Sequence, residues 1–109
     1  MKIGLISDTH GVFATDVKKF LEPVDQIWHA GDFGTLACAS TIEAFKPLVG
    51  VYGNCDGQDV WQVYPRYTHF ECEGLRVLMT HIGLRPGSYW AYDTKRPLYD
   101  IFAKQLLDM

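Results

Sequence analysis

The sequence predicts an α/β domain built as a parallel βαβαβ unit, followed by an antiparallel β-hairpin and a final helix. Three observations carry that expectation. Over the first half of the chain, short apolar runs alternate with stretches of helical periodicity, the pattern of a parallel sheet with helical crossovers. Each run ends in a glycine-containing turn beside Asp, His or Asn. Beyond Trp61 the apolar residues alternate instead, on either side of Glu73-Gly74, which marks a hairpin with a tight turn.

Taken in order, residues 2–7 form a nearly continuous apolar run with Ile3, Leu5 and Ile6, expected as a strand buried on both faces. Phe13, Val17, Phe20 and Leu21 then recur at i, i+4, i+7 and i+8, one apolar stripe of a helix that Pro23 ends. Residues 26–30 make the second strand, closing on Gly31-Asp32. A second helix is expected over residues 35–45, with Cys38, Ile42 and Phe45 on its buried side and Pro47 beyond it. Residues 48–52 make the third strand, which runs into Gly53-Asn54-Cys55-Asp56-Gly57. Residues 61–66 read as a connection with aromatic anchors, and residues 67–72 and 75–80 as the hairpin. Residues 83–92 read as a loop, and from Pro97 onward Leu98, Ile101, Phe102 and Leu106 fit a final helix.

A chain of 109 residues with 48% hydrophobic content is expected to form one domain, spanning 1–109, with a real core. The formal net charge is -3 and the Lys and Arg residues are scattered, so neither a nucleic-acid backbone nor an anionic membrane is an expected partner. No apolar run approaches a membrane span, and the start of the chain turns acidic too soon for a signal peptide. Cys38, Cys55 and Cys72 form no C-x-x-C pair and fit reduced thiols. A cytoplasmic location is expected.

The residues that end the strands belong together chemically. Asp8 and His10 follow the first strand, Asp32 the second, Asn54 the third and His81 the last hairpin strand. In extended backbone residues two apart point the same way, so Asp8 and His10 are expected to converge on one point. In open α/β sheets ligands bind beyond the carboxyl ends of the strands, where all five side chains fall. Oxygen and imidazole donors suit Mn, Fe, Ni or Zn. Five ligands suit two metal ions with Asp32 bridging better than one closed site. His29, inside the second strand, reads instead as a hydrogen-bonded structural histidine, and His69 as a surface residue. The aromatics Trp61, Tyr64, Tyr67, Trp90 and Tyr92 read as core, edge-covering or interface residues.

Asp8-Thr9-His10-Gly11, Gly31-Asp32, Gly53-Asn54-Cys55-Asp56 and Thr80-His81 resemble, in order and spacing, the blocks of the calcineurin-like metallophosphoesterase superfamily. The branch they resemble most is the small prokaryotic phosphodiesterases that share a fold with the retromer scaffold subunit. The resemblance implies a two-sheet sandwich flanked by helices. It implies one metal held by Asp8, His10 and Asp32 and another by Asp32, Asn54 and His81, with Mn2+ expected first and Ni2+, Zn2+, Fe2+ or Mg2+ as alternatives. It implies hydrolysis of a small phosphodiester or related phosphoester by a hydroxide bridging the ions, with Asn54, Cys55 and Asp56 at the substrate edge. Asp56 would there orient a water or the Asn54 amide.

Two departures qualify that expectation. Cys55 stands where many members have a histidine, which predicts slower chemistry or activated leaving groups. The family also continues into a Gly-His-x-His block, and no histidine follows His81. Weaker metal binding is expected, together with an unpaired hairpin edge and an uncovered face that the final helix or a second copy would cover. Roughly two-thirds of an ordinary family domain is present by this resemblance, so the sandwich is expected to be C-terminally incomplete. A shortened form of an active phosphoesterase is the expected reconciliation, and a non-catalytic interaction module on the same fold is the alternative.

Overall fold

A computed structural model of the chain describes residues 1–82. Three parallel strands, β1 (Ile3–Ile6), β2 (Gln26–His29) and β3 (Leu48–Gly50), pair in the order β1-β2-β3. Helices α1 (Thr15–Phe20) and α2 (Leu36–Phe45) connect them, and a short α3 (Gln58–Trp61) follows β3. An antiparallel pair, β4 (Tyr67–Cys72) and β5 (Leu75–Thr80), forms the second sheet. The expected loop over residues 83–92 and the final helix from Pro97 lie outside the described residues. No helix among the described residues is long and apolar enough to cross a membrane.

The register fixes where the loops emerge. Ile6 stands opposite His29, and His29 opposite Gly50. The three parallel strands therefore finish level, and the loops after them leave from one edge. Side chains alternate across β2: Ile27 and His29 face the helices and are fully buried, while Trp28 faces the hairpin. On the helical side Leu21, Val24, Ile27, Phe33, Ala39, Ile42 and Val60 form one cluster. The Thr35 hydroxyl caps α2 by accepting from the Cys38 N–H at 3.1 Å, a contact that stabilises a helix by about 1 kcal/mol. On the opposite side the Trp28 and Phe70 rings meet edge to face, centroids 5.1 Å apart. That contact sets β4-β5 against the parallel sheet.

The hairpin falls on the expected residues. Glu73 and Gly74 both take positive φ, 50° and 81°, the pair of left-handed residues that a type I′ turn requires. Elsewhere the expectations need correction. The first strand is not buried on both faces, because Leu5, on the side away from the helices, is 66% exposed. Phe20 does not join the buried stripe: α1 is a single short helix whose last residue is 75% exposed, and Leu21 turns inward instead. Residues 51–52 leave the third strand early, although the Val51 N–H still reaches the His29 carbonyl at 3.1 Å. The segment before the aromatic connection is helical because Gly57 starts a turn that α3 completes, with Val60 buried beneath it.

Candidate metal centre

The loop after β1 runs beside the loop after β2. Asp8 donates its N–H to Gly31 at 2.9 Å, His10 to Asp32 at 3.1 Å and Gly11 to Phe33 at 2.6 Å, each through the backbone carbonyl. Within this pairing Asp8, His10 and Asp32 all hold left-handed backbone, with φ of 57°, 48° and 62°. Such conformations are uncommon for residues with a side chain and persist where surrounding bonds impose them, often at functional sites. Asp8 and His10 do converge, but not through extended backbone. The strand ends at Ile6, and two left-handed residues turn the side chains toward each other, both remaining about half exposed.

Asp32 is the centre of the arrangement and is only 3% exposed. Its Oδ1 accepts from the Cys55 N–H at 2.9 Å, which leaves Oδ2 facing His81 Nε2 at 3.3 Å and His10 Nε2 at 3.9 Å. His10 Nε2 also lies 3.5 Å from Asp8 Oδ1. Donor atoms of Asp8, Asp32 and His81 all fall within 4.8 Å of one another. The other ring nitrogen of His81 stands 2.9 Å from the Ala30 carbonyl. A carbonyl only accepts, so Nδ1 carries the proton, which leaves Nε2 as the ring atom facing Asp32, the orientation that such second partners give to metal-binding histidines. Two carboxylates and imidazole nitrogens at these distances fit a divalent cation of borderline hardness.

Two glycines make the approach possible. A Cβ on Gly31, at φ 109°, would lie 2.7 Å from His81 Nδ1, and a Cβ on Gly53 would run into the Asp32 carboxylate. Asn54 is exposed and, with His81, Tyr52, Arg66 and Thr80, lines a cavity of ≈ 180 Å³ beside the centre. The Asp8 carboxyl titrates below its ordinary value, chiefly because Ser7 hydrogen-bonds it, with His81 and His10 adding attraction. The exposed Cys55 thiol is pushed up, first by the charge of Asp32, and so keeps its proton at neutral pH.

Asp56 is not at the substrate edge. It is 3% exposed, and both of its oxygens are occupied by backbone: Oδ2 accepts from Gly53 at 2.9 Å, Asp32 at 3.0 Å and Phe33 at 3.2 Å, and Oδ1 accepts from Gly34 at 2.8 Å. His29 is the structural histidine expected of it. Its Nδ1 accepts from the Gly31 N–H at 3.1 Å, so Nε2 carries the proton and donates to the Thr9 hydroxyl at 3.0 Å. Thr9 in turn donates to the Phe33 carbonyl at 3.2 Å. Burial pushes the His29 pKa down to about 4, keeping this chain of donors neutral. The sequence pattern assigns Thr9 no role of its own. Its position between Asp8 and His10 was the available signal.

Comparison with known proteins identifies a family and a fold. The family model described as a calcineurin-like phosphoesterase superfamily domain matches residues 1–105. No curated relative matches the chain. Among solved structures, Vps29 of Chaetomium thermophilum is similar with a TM-score of 0.58 and 21% identity, over 70% of this chain and 44% of that one. Vacuolar protein sorting 29 from Cryptosporidium parvum is similar with a TM-score of 0.64 and 14% identity, over 95% of this chain and 58% of that one. The chain thus spans about half the length of these proteins, and at such identities the likeness is one of fold.

Proposed function

The chain belongs to the calcineurin-like phosphoesterase superfamily, and from that membership we propose that it serves a divalent-metal-dependent phosphoesterase that hydrolyses a small phosphodiester. The observation that carries the proposal is the convergence of Asp8, Asp32 and His81 donor atoms within 4.8 Å, with His10 Nε2 beside both carboxylates. Asp8, His10 and Asp32 would hold one ion, and Asp32, Asn54 and His81 the other, with Mn2+ first among the candidates. Bound there, the ions would neutralise phosphate charge and supply a water acidic enough to attack. The chain's own residues prepare the position. The Cys55 N–H holds one Asp32 oxygen, His81 is held in one tautomer by Ala30, and Asn54 stands on the cavity wall that a substrate would meet. A protonated Cys55 is a weak general acid, which favours esters with good leaving groups. A cytoplasmic location is part of the same proposal.

The test is hydrolysis of bis-p-nitrophenyl phosphate with added Mn2+, alongside direct metal titration. Asp32→Asn is expected to lower both metal affinity and rate by about 100-fold or more, since it removes the shared carboxylate. Equal rates and equal metal content in the two chains would end the catalytic reading.

The second reading is an interaction module on the same scaffold, possessing the fold without turnover. The observation favouring it is the apolar surface that the described residues present beside the hairpin, where Leu5 is 66% and Leu75 70% exposed. A second copy of the chain covering that face would appear as a dimer in sedimentation measurements.

A further inference from the structure

We infer that Asp56 is the positioning residue for Asp32, and that it sets the metal affinity of the site without touching the metal. The inference rests on the metal-site reading above. Three consecutive N–H groups, those of Asp32, Phe33 and Gly34, converge on the Asp56 carboxylate, and the Gly53 N–H joins them. Consecutive backbone donors pointing at one anion form a nest, a concavity that requires left-handed backbone within it. That backbone belongs to Asp32, at φ 62°, and Gly34, at φ 93°. Gly34 adopts it freely, whereas Asp32 adopts it under constraint.

The bracing runs both ways. Asp56, in the loop after β3, accepts from the backbone of the loop after β2. Asp32, in the loop after β2, accepts the Cys55 N–H from the loop after β3 at 2.9 Å. Asp59 adds a third link, accepting from the Leu36 N–H at the start of α2 at 3.2 Å. The Asp32 side chain leaves a backbone held by Asp56, and one of its oxygens is held by the residue before Asp56. Only Oδ2 remains to face His10 and His81. Without the buried anion, four N–H dipoles would face one another unpaired. The backbone at Asp32 would then relax toward negative φ, carrying its carboxylate away from both imidazoles.

The experiment compares Mn2+ affinity, by calorimetry or electron paramagnetic resonance, in the unaltered chain, Asp56→Asn and Ile42→Val. Asparagine keeps the shape but offers one acceptor oxygen and sets an N–H donor against the nest. Asp56→Asn is expected to bind Mn2+ about tenfold or more weakly, the scale on which support of a ligand acts. Ile42→Val removes one methylene from the fully buried Ile42 and is expected to leave Mn2+ affinity unchanged. A second measurement needs neither metal nor a stable variant: amide exchange in the metal-free, unaltered chain should show residues 32, 33, 34 and 53 protected together. Wild-type Mn2+ affinity in a folded Asp56→Asn would overturn the inference. So would equal weakening by Ile42→Val, or unprotected amides at those four positions. A chain that takes up no Mn2+ at all ends the phosphoesterase reading and, with it, the claim that Asp56 sets metal affinity, whereas the exchange measurement separately decides whether Asp56 braces the backbone of Asp32.

Discussion

The two faces of the parallel sheet are built differently. Toward the helices, Leu21, Ile27, Phe33, Ala39, Ile42 and Val60 are fully buried, and the His29, Phe33 and Tyr64 rings stack in series with centroids 3.8 and 4.7 Å apart. Toward the hairpin, among the described residues, an edge-to-face contact between Trp28 and Phe70 stands beside a cavity of ≈ 340 Å³ lined by Leu5, Trp28, Ala30 and residues 77–80. The candidate metal centre straddles the two. Asp8, His10 and Asp32 stand on loops tied to the dense face through Thr9, His29 and Phe33, whereas His81 arrives on the hairpin. A site assembled from a rigid half and a lightly held half should lose ligands in that order of difficulty.

The largest effect should come from cutting into the dense face. Ile42→Ala is expected to lower stability by about 2–5 kcal/mol in urea unfolding, the usual range for emptying a packed aliphatic site. Leu5→Ala should change it by less than about 1 kcal/mol, since most of that side chain is already in water. Equal effects would abolish the contrast between the faces.

The next effect is pH-dependent. His29 has its folded pKa depressed from 6.5 to about 4, so between those values the unfolded chain binds more protons than the folded one. Stability is therefore fully present above pH 6.5 and is lost as pH falls toward 4, by about 3 kcal/mol for a shift of this size. Urea titrations of the metal-free chain at pH 7 and pH 4 measure it, and a His29→Gln chain should show a flatter dependence.

The smallest effect sharpens the lightly held half. Phe70→Leu removes the ring pair with Trp28 and should cost about 1 kcal/mol. Its signature is selective: hairpin amides should exchange faster while those of β2 do not. Acceleration spread evenly over both sheets would mean that the two faces unfold as one.

Much of this was legible in the sequence because it is local. The hairpin bounds follow from alternation on either side of Glu73-Gly74, and the candidate cluster of Asp8, Asp32 and His81 from residues placed after apolar runs. The misses are tertiary. A periodic stripe that includes Phe20 shows which residues share a helix face, but not whether a partner reaches the end of it. Nothing near Asp56 reveals that its carboxylate will be spent on N–H groups some two dozen residues earlier. The left-handed turns at Asp8, His10 and Asp32 are imposed by backbone pairing between loops, and although Asp and His tolerate such backbone better than most residues, nothing in the sequence marks which of them will adopt it.

The close approach at Gly53 has a consequence for inheritance. Because a Cβ there would meet the Asp32 carboxylate, the position is closed to every side chain, although Gly53 offers the centre no side-chain donor of its own. In a mutational scan it would score like a ligand. Descendants of this sequence could exchange one metal donor for another more readily than add a single methyl group at residue 53.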